Sequence, residues 1–154
     1  MPITLTSVLP LPLTVDEVRM FMRDYAKNNL LLGDVQFSRD EMSKGIEFAT
    51  SEFNTIAPVT AFPSESIPKS LLALGTAAWL MNSEAFLQIR NQATYGASGI
   101  NPVGVDDKYR DYLSMASTMR TEWKAQALEY KKYQNAMSAF GSVNSGYRFS
   151  TRFR

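Results

Sequence analysis

From Val105 to Ala139 the chain runs without a single Pro or Gly. That stretch limits the possible folds more than any other. Asp106 and Asp107 stand where they can cap and charge a helix start. Tyr109, Ala116, Trp123, Tyr130 and Met137 recur at heptad spacing, and Tyr112, Met119, Gln126 and Tyr133 follow three places behind the first four. This is the stripe of one long helix. At ~1.5 Å per residue it extends roughly 45–50 Å, whereas a compact domain of this size is only about 40 Å across. The helix therefore crosses the whole domain and projects from it with aromatic residues, an end that calls for a cover.

The 154 residues suit one domain with a real core, and a formal net charge of +1 argues against generic polyanion binding. Charge is unevenly placed. Residues 1–13 carry none, 14–56 carry five basic against eight acidic groups, and 141–154 carry three Arg and no acid. There is no Cys and no His, which excludes thiol nucleophiles, disulfides, imidazole bases and Cys/His metal sites. The first residues lack the basic opening of a secretory signal, and prolines interrupt their apolar run. Between Lys69 and Glu84 lie 14 uncharged residues, too few to span a bilayer. These features read as a soluble protein without an export signal and without a membrane partner.

Residues 1–13 are β-branched and then Pro-containing, so an extended arm is expected rather than a helix. Ile3, Leu5, Val8, Leu9, Leu11 and Leu13 make that arm too apolar for a solvated tail, and it needs a groove on its own domain or on a neighbour's. Thr14 with Glu17 forms a capping box before a short helix whose face is Val15, Val18, Met22 and Tyr25. Asn28, Asn29 and Gly33 are expected to end it, with Leu30, Leu31 and Leu32 as an apolar linker. Ser38 with Glu41 is a second capping box, and Met42, Ile46, Ala49, Phe53 and Ile56 follow as the buried face of a second helix.

Pro58, Pro63 and Pro68 mark a loop before a third helix, which is expected to continue through Asn91. Leu71, Leu74, Ala78, Met81, Ala85 and Ile89 line one side of it, and Gly75, Ala77 and Ala78 allow another helix to approach closely. This is the expected central helix. Gly96, Gly99 and Gly104 then belong to a loop without the Gly-Lys-Ser/Thr step of a phosphate-binding P-loop. After Phe140, Tyr147, Phe149 and Phe153 alternate with Arg148, Arg152 and Arg154, the period of a strand with an aromatic and a basic face. A strand needs partners for its backbone, so this tail pairs either with the N-terminal arm or with another protein.

Catalytic readings are weak. Asp106, Asp107 and Asp111 resemble a Mg²⁺-holding cluster, but helix capping explains them, with Lys108 and Arg110 interleaved. Glu41, Glu47, Glu52 and Glu84 supply no implied glycosidase pair. Glu41 sits at a cap, Glu47 and Glu52 fall off the apolar stripe as solvated residues do, and Glu84 interrupts an apolar helix near its exposed end. Three arginines on one tail are few for binding single-stranded nucleic acid. No enzymatic activity, metal or cofactor is expected.

The run Ser83-Glu84-Ala85-Phe86-Leu87-Gln88-Ile89-Arg90-Asn91-Gln92 leads through Tyr95-Gly96-Ala97-Ser98-Gly99 to Val105-Asp106-Asp107-Lys108-Tyr109. With the Thr14-Val15-Asp16-Glu17-Val18 helix start and the Gly- and Ser-containing turn before an aromatic tail, it resembles the head-to-tail adaptor (neck, or connector) proteins of tailed bacteriophages. The resemblance covers residues 14–154, is architectural, and does not place the apolar N-terminal arm.

It implies an all-α, four-helix bundle-like domain (residues 14–140) with a long C-terminal helix and extended N- and C-terminal arms (residues 1–13 and 141–154). Such adaptors form homo-oligomeric rings, usually dodecameric, in the virion neck, after assembly in the bacterial host cytoplasm. One face meets the portal protein and the other the downstream neck or tail component, while genome DNA passes through the channel without sequence-specific binding. The resemblance puts Tyr147, Arg148, Phe149, Arg152, Phe153 and Arg154 against the portal. The alternative is a non-viral helical protein-interaction module that dimerises through the long helix, along the Trp123 stripe.

Overall fold

The structure, a computed structural model, describes residues 12–30, 32–97 and 108–140. They form an all-α, bundle-like fold of four helices: α1 (Val15–Met22), α2 (Arg39–Thr55), α3 (Lys69–Ala97) and α4 (Lys108–Phe140), with a short 3₁₀ turn at Ser64–Ser66 before α3. The N-terminal arm up to Leu11, Leu31, the residues from Ser98 to Asp107 and the tail after Phe140 lie outside the described residues.

Both capping boxes are formed. Thr14 Oγ1 accepts from the Glu17 N–H at 3.3 Å while the Glu17 carboxylate accepts from the Thr14 N–H at 2.8 Å. Ser38 and Glu41 repeat the exchange at 3.2 and 2.7 Å. From α2, Met42, Ala49 and Phe53 enter the core, with Ile46 and Ile56 packed at its edge.

α1 is shorter than its sequence suggests. It stops at Met22, because Arg23 adopts a left-handed conformation (φ 57°), and Tyr25 falls beyond the helix. The cause is Asp24. Its buried carboxylate accepts from the N–H groups of Gln36 (2.7 Å) and Phe37 (3.0 Å) and from Asn29 Nδ2 (2.6 Å), and it pairs with Arg19 at 3.3 Å. A short acidic side chain that binds backbone N–H groups twelve residues downstream competes directly with helix continuation. The segment from Arg23 to Phe37 is thus a closed loop, and it carries Leu30, 88% exposed, on its surface.

α3 runs through the middle and touches α1, α2 and α4. It extends to Ala97 rather than stopping at Asn91, since nothing between Asn91 and Tyr95 breaks a helix. Leu71, Leu72, Ala73, Thr76, Ala77, Ala78 and Leu80 are all buried, so its first half is enclosed nearly all round. At Gly75 the missing side chain makes room for α4. A Cβ built there would sit 2.6 Å from the Trp123 ring of α4, and Trp123 is only 1% exposed.

α4 runs antiparallel to α3, with Trp123 on Gly75 and Tyr130 donating its hydroxyl to the Ser66 carbonyl at 3.0 Å. Its 33 residues reach roughly 50 Å at ~1.5 Å each. The buried line is Ala116, Trp123, Ala127 and Lys131, not the full heptad set. Gln126 and Tyr133 face solvent, and Met137 is exposed too. A straight helix of 3.6 residues per turn drifts about 20° per heptad away from a seven-residue repeat, so after Trp123 the positions one place further along take over the core. Trp123 itself is therefore spent inside the domain, while Gln126, Tyr133 and Met137 of the same stripe stay on the surface.

Glu17 ties α1 to the start of α3. Lys69 Nζ lies 2.5 Å from its carboxylate, and that hydrogen bond, followed by the one from the Thr14 backbone, lowers the Glu17 pKa from 4.5 to about 2. A carboxylate depressed in the folded state contributes stability that is complete above pH 4.5 and is lost as pH falls toward 2. Glu17→Gln should therefore weaken the protein at pH 6 and lose less than wild type on acidification. Urea unfolding followed by circular dichroism at pH 6, 4 and 2.5 checks this; parallel curves for the two proteins would show that Glu17 is not a source of the acid sensitivity.

Candidate interaction surfaces

Exposed apolar side chains gather around two grooves that share no lining residue. The first lies between α2 and α3, has a volume of about 300 Å³, and is lined by four aromatics, Phe37, Phe48, Trp79 and Phe86, together with Glu41, Lys44 and smaller residues. Phe48 stacks on Trp79 with ring centroids 5.1 Å apart. Arg120 lies over the Trp79 ring at 5.4 Å, so the ring contacts both an aromatic and a cation. Phe86 remains 65% exposed.

The second groove, of about 670 Å³, lies between the loop after α1, the end of α3 and the start of α4. Leu30, Leu32, Val35 and Leu87 form its apolar walls; Glu84, Gln88, Gln36 and Tyr112 supply its polar groups. Gln36 Nε2 donates to the Tyr112 hydroxyl at 3.1 Å, joining the loop to α4 across the groove. A smaller hollow lined by Met81, Asp111, Tyr112 and Met115 continues from it through Tyr112. Isolated exposed leucines need no explanation, but contiguous apolar groups around a groove mark contact surfaces.

The carboxylates weighed for catalysis are held by separate partners. Glu41 caps α2, and Glu47 pairs with Lys44 at 2.7 Å on the surface. Glu52 is not a solvated residue as its place off the stripe suggests. Its largely covered side chain takes Arg120 at 2.7 Å, Lys124 at 3.3 Å and Trp79 Nε1 at 3.0 Å, and it links α2, α3 and α4. Periodicity along one helix could not show this, because all three donors come from other helices.

Glu84, far from being near an exposed end, is 9% exposed and accepts from Gln88 Nε2 at 2.7 Å. Asp111 is exposed; Asp106 and Asp107 lie outside the described residues. Among the described residues no three acidic groups gather as a metal site would need. No helix among them is long and apolar enough to cross a membrane.

Tyr147, Arg148, Phe149, Arg152, Phe153 and Arg154, the contact residues expected from sequence, also lie outside the described residues. Sequence reading passed over Trp79, Leu30 and Leu32 as surface elements; three consecutive leucines in a polar turn region were the available signal. Comparison with protein-family models, with curated proteins and with solved structures finds no match to this chain.

Proposed function

We propose that this protein is a structural head-to-tail adaptor of a tailed bacteriophage, a subunit of a ring that docks on the portal through its C-terminal arm. The observation that carries the reading is the pair of separate grooves, each edged by exposed apolar side chains, on one small helical domain. A closed ring is built from heterologous contacts, which require two different patches on every subunit, whereas a twofold dimer requires one self-complementary patch. The projecting end of α4, with Tyr133 and Met137 exposed, supplies further surface for a neighbour to cover.

In this reading the ring is dodecameric, one face meets the portal, and the other meets the downstream neck or tail component. Genome DNA passes through the channel without sequence-specific contacts. The role is structural, with no chemistry and no cofactor. Tyr147, Phe149 and Phe153 fill apolar sites on the portal, while Arg148, Arg152 and Arg154 meet acidic groups there.

Phe149→Ala with Phe153→Ala should reduce co-sedimentation with portal rings of the same virus at least tenfold and leave the helical circular dichroism unchanged. A double variant that loses its helical signal would mean that the tail packs on its own domain. A folded double variant that still docks would remove the aromatic side chains from the contact.

A further inference from the structure

We infer that the groove between the Asn28–Gln36 loop, α3 and α4 receives the C-terminal segment of a second copy of this chain. The chemistry of the groove defines its occupant. Among the described residues that line it, Glu84 is the one that carries a charge. It is nearly enclosed, and its carboxylate is met by the neutral amide of Gln88. Around it stand Leu30, Leu32 and Leu87, at 88%, 63% and 37% exposure. A cation flanked by apolar side chains fits such a floor and rim, because a carboxylate in a partly dehydrated groove favours a charged donor over a neutral one. Within this chain that chemistry occurs in Tyr147-Arg148-Phe149-Ser150-Thr151-Arg152-Phe153-Arg154, where aromatics and arginines alternate without an acid.

Chain length decides which copy can supply the Arg148 part of it, where an arginine has an aromatic on either side. Tyr112 lies in the groove near the start of α4, and Phe140 ends that helix. The run between them spans roughly 42 Å at ~1.5 Å per residue. From Phe140 the chain reaches Arg148 within at most about 29 Å, and Arg152 within about 43 Å only when fully extended, at ~3.6 Å per residue. Arg148, with the Tyr147 and Phe149 that flank it, therefore falls short of its own groove; Arg152 arrives only on a taut chain, and Arg154, within about 50 Å at ~3.6 Å per residue, reaches it without the aromatic pair around Arg148. A neighbouring copy has no such restriction. The contact is heterologous, tail of one copy into groove of the next, and it propagates around a ring or along a filament. It does not depend on a portal; a portal that binds the same segment competes with the groove for it.

The test uses the full chain at a dilution where sedimentation shows it to be monomeric and its grooves free, with a fluorescent peptide of residues 141–154 as probe and a scrambled peptide of the same composition as control. Anisotropy should show saturable binding by the wild-type chain, at least tenfold tighter than for the scrambled peptide. Glu84→Gln, which keeps the shape and removes the charge, should weaken it about tenfold or more. Leu30→Asp, on an exposed loop position where folding is not at stake, should do the same. Replacing Arg148 and Arg152 of the peptide by Gln should match the loss seen with Glu84→Gln and add little to it. Absence of binding, equal binding of the scrambled peptide, or wild-type affinity in both folded variants would overturn the inference.

Discussion

Gly75→Ala is expected to destabilise the protein by about 1–3 kcal/mol, the range for forcing extra atoms into a packed core. The sign is informative because local preference points the other way. In a helix interior Ala is favoured over Gly by roughly 1 kcal/mol. Here the new methyl would lie 2.6 Å from Cε2 and Nε1 of Trp123. The ring is 1% exposed and sits among core residues of α2, α3 and α4, so it has no free direction in which to yield.

Trp123→Ala should do still more damage, about 3–5 kcal/mol, by emptying the centre of the α3–α4 contact. Trp123→Phe leaves space beside position 75 and also removes an indole N–H that finds no acceptor among the described residues. Gly75→Ala should consequently be less harmful in the Trp123→Phe background, by 1 kcal/mol or so in a double-mutant cycle. Thermal and urea unfolding of the four proteins measure this; additive effects would mean that the ring and the glycine are not in conflict.

Lys131→Ala is the second change expected to act strongly, with a loss of about 3–4 kcal/mol from the emptied volume and the stranded acceptors. Lys131 is fully buried on α4. Its ammonium donates to the carbonyls of Ile56 at 2.5 Å and Pro58 at 3.0 Å, and stands 4.7 Å from the Phe53 ring centroid. It thereby fastens the loop after α2 to α4. Burial lowers its pKa below the ordinary lysine value of 10.5, since desolvation disfavours the charged form.

The depressed value also sets the pH dependence. Between the folded-state pKa and 10.5 the unfolded chain binds more protons than the folded one, so stability rises with pH across that window. Lys131→Met retains most of the volume and has no titration. The gap between wild type and Lys131→Met should therefore shift in favour of wild type as pH is raised from 8 toward 10, while a gap independent of pH would show that the buried amine carries no such penalty.

Much of the helical framework was legible because it depends on neighbours in sequence. The Thr14/Glu17 and Ser38/Glu41 boxes place the starts of α1 and α2 to the residue, since a cap is complete within four positions. Gly75 and the alanines of α3 announce a close helix contact, and its partner on α4 is the most prominent aromatic of the long stripe. What escaped was set at long range. Asp24 ends α1 through Gln36 and Phe37, Glu52 is covered by donors from α3 and α4, and Lys131 is buried by carbonyls of a distant loop. A charged side chain looks solvated in sequence whenever its partner lies on another element.

The stripe of α4 failed for a different reason. A seven-residue count describes the first half well, but without a supercoil to absorb the mismatch it rotates off the core by Gln126 and Tyr133. The two grooves were only partly visible, because each is made from segments far apart in the chain.

The central claim is that this chain assembles into a ring on a portal and is anchored there by residues 141–154. Native mass measurement tests it most directly, on the protein alone and mixed with portal rings of the same virus, with the intact chain and with residues 141–154 removed. A full ring's complement taken up by the intact chain, and none by the shortened one, is the predicted result. Portal rings that keep their own mass in the presence of intact protein would contradict it.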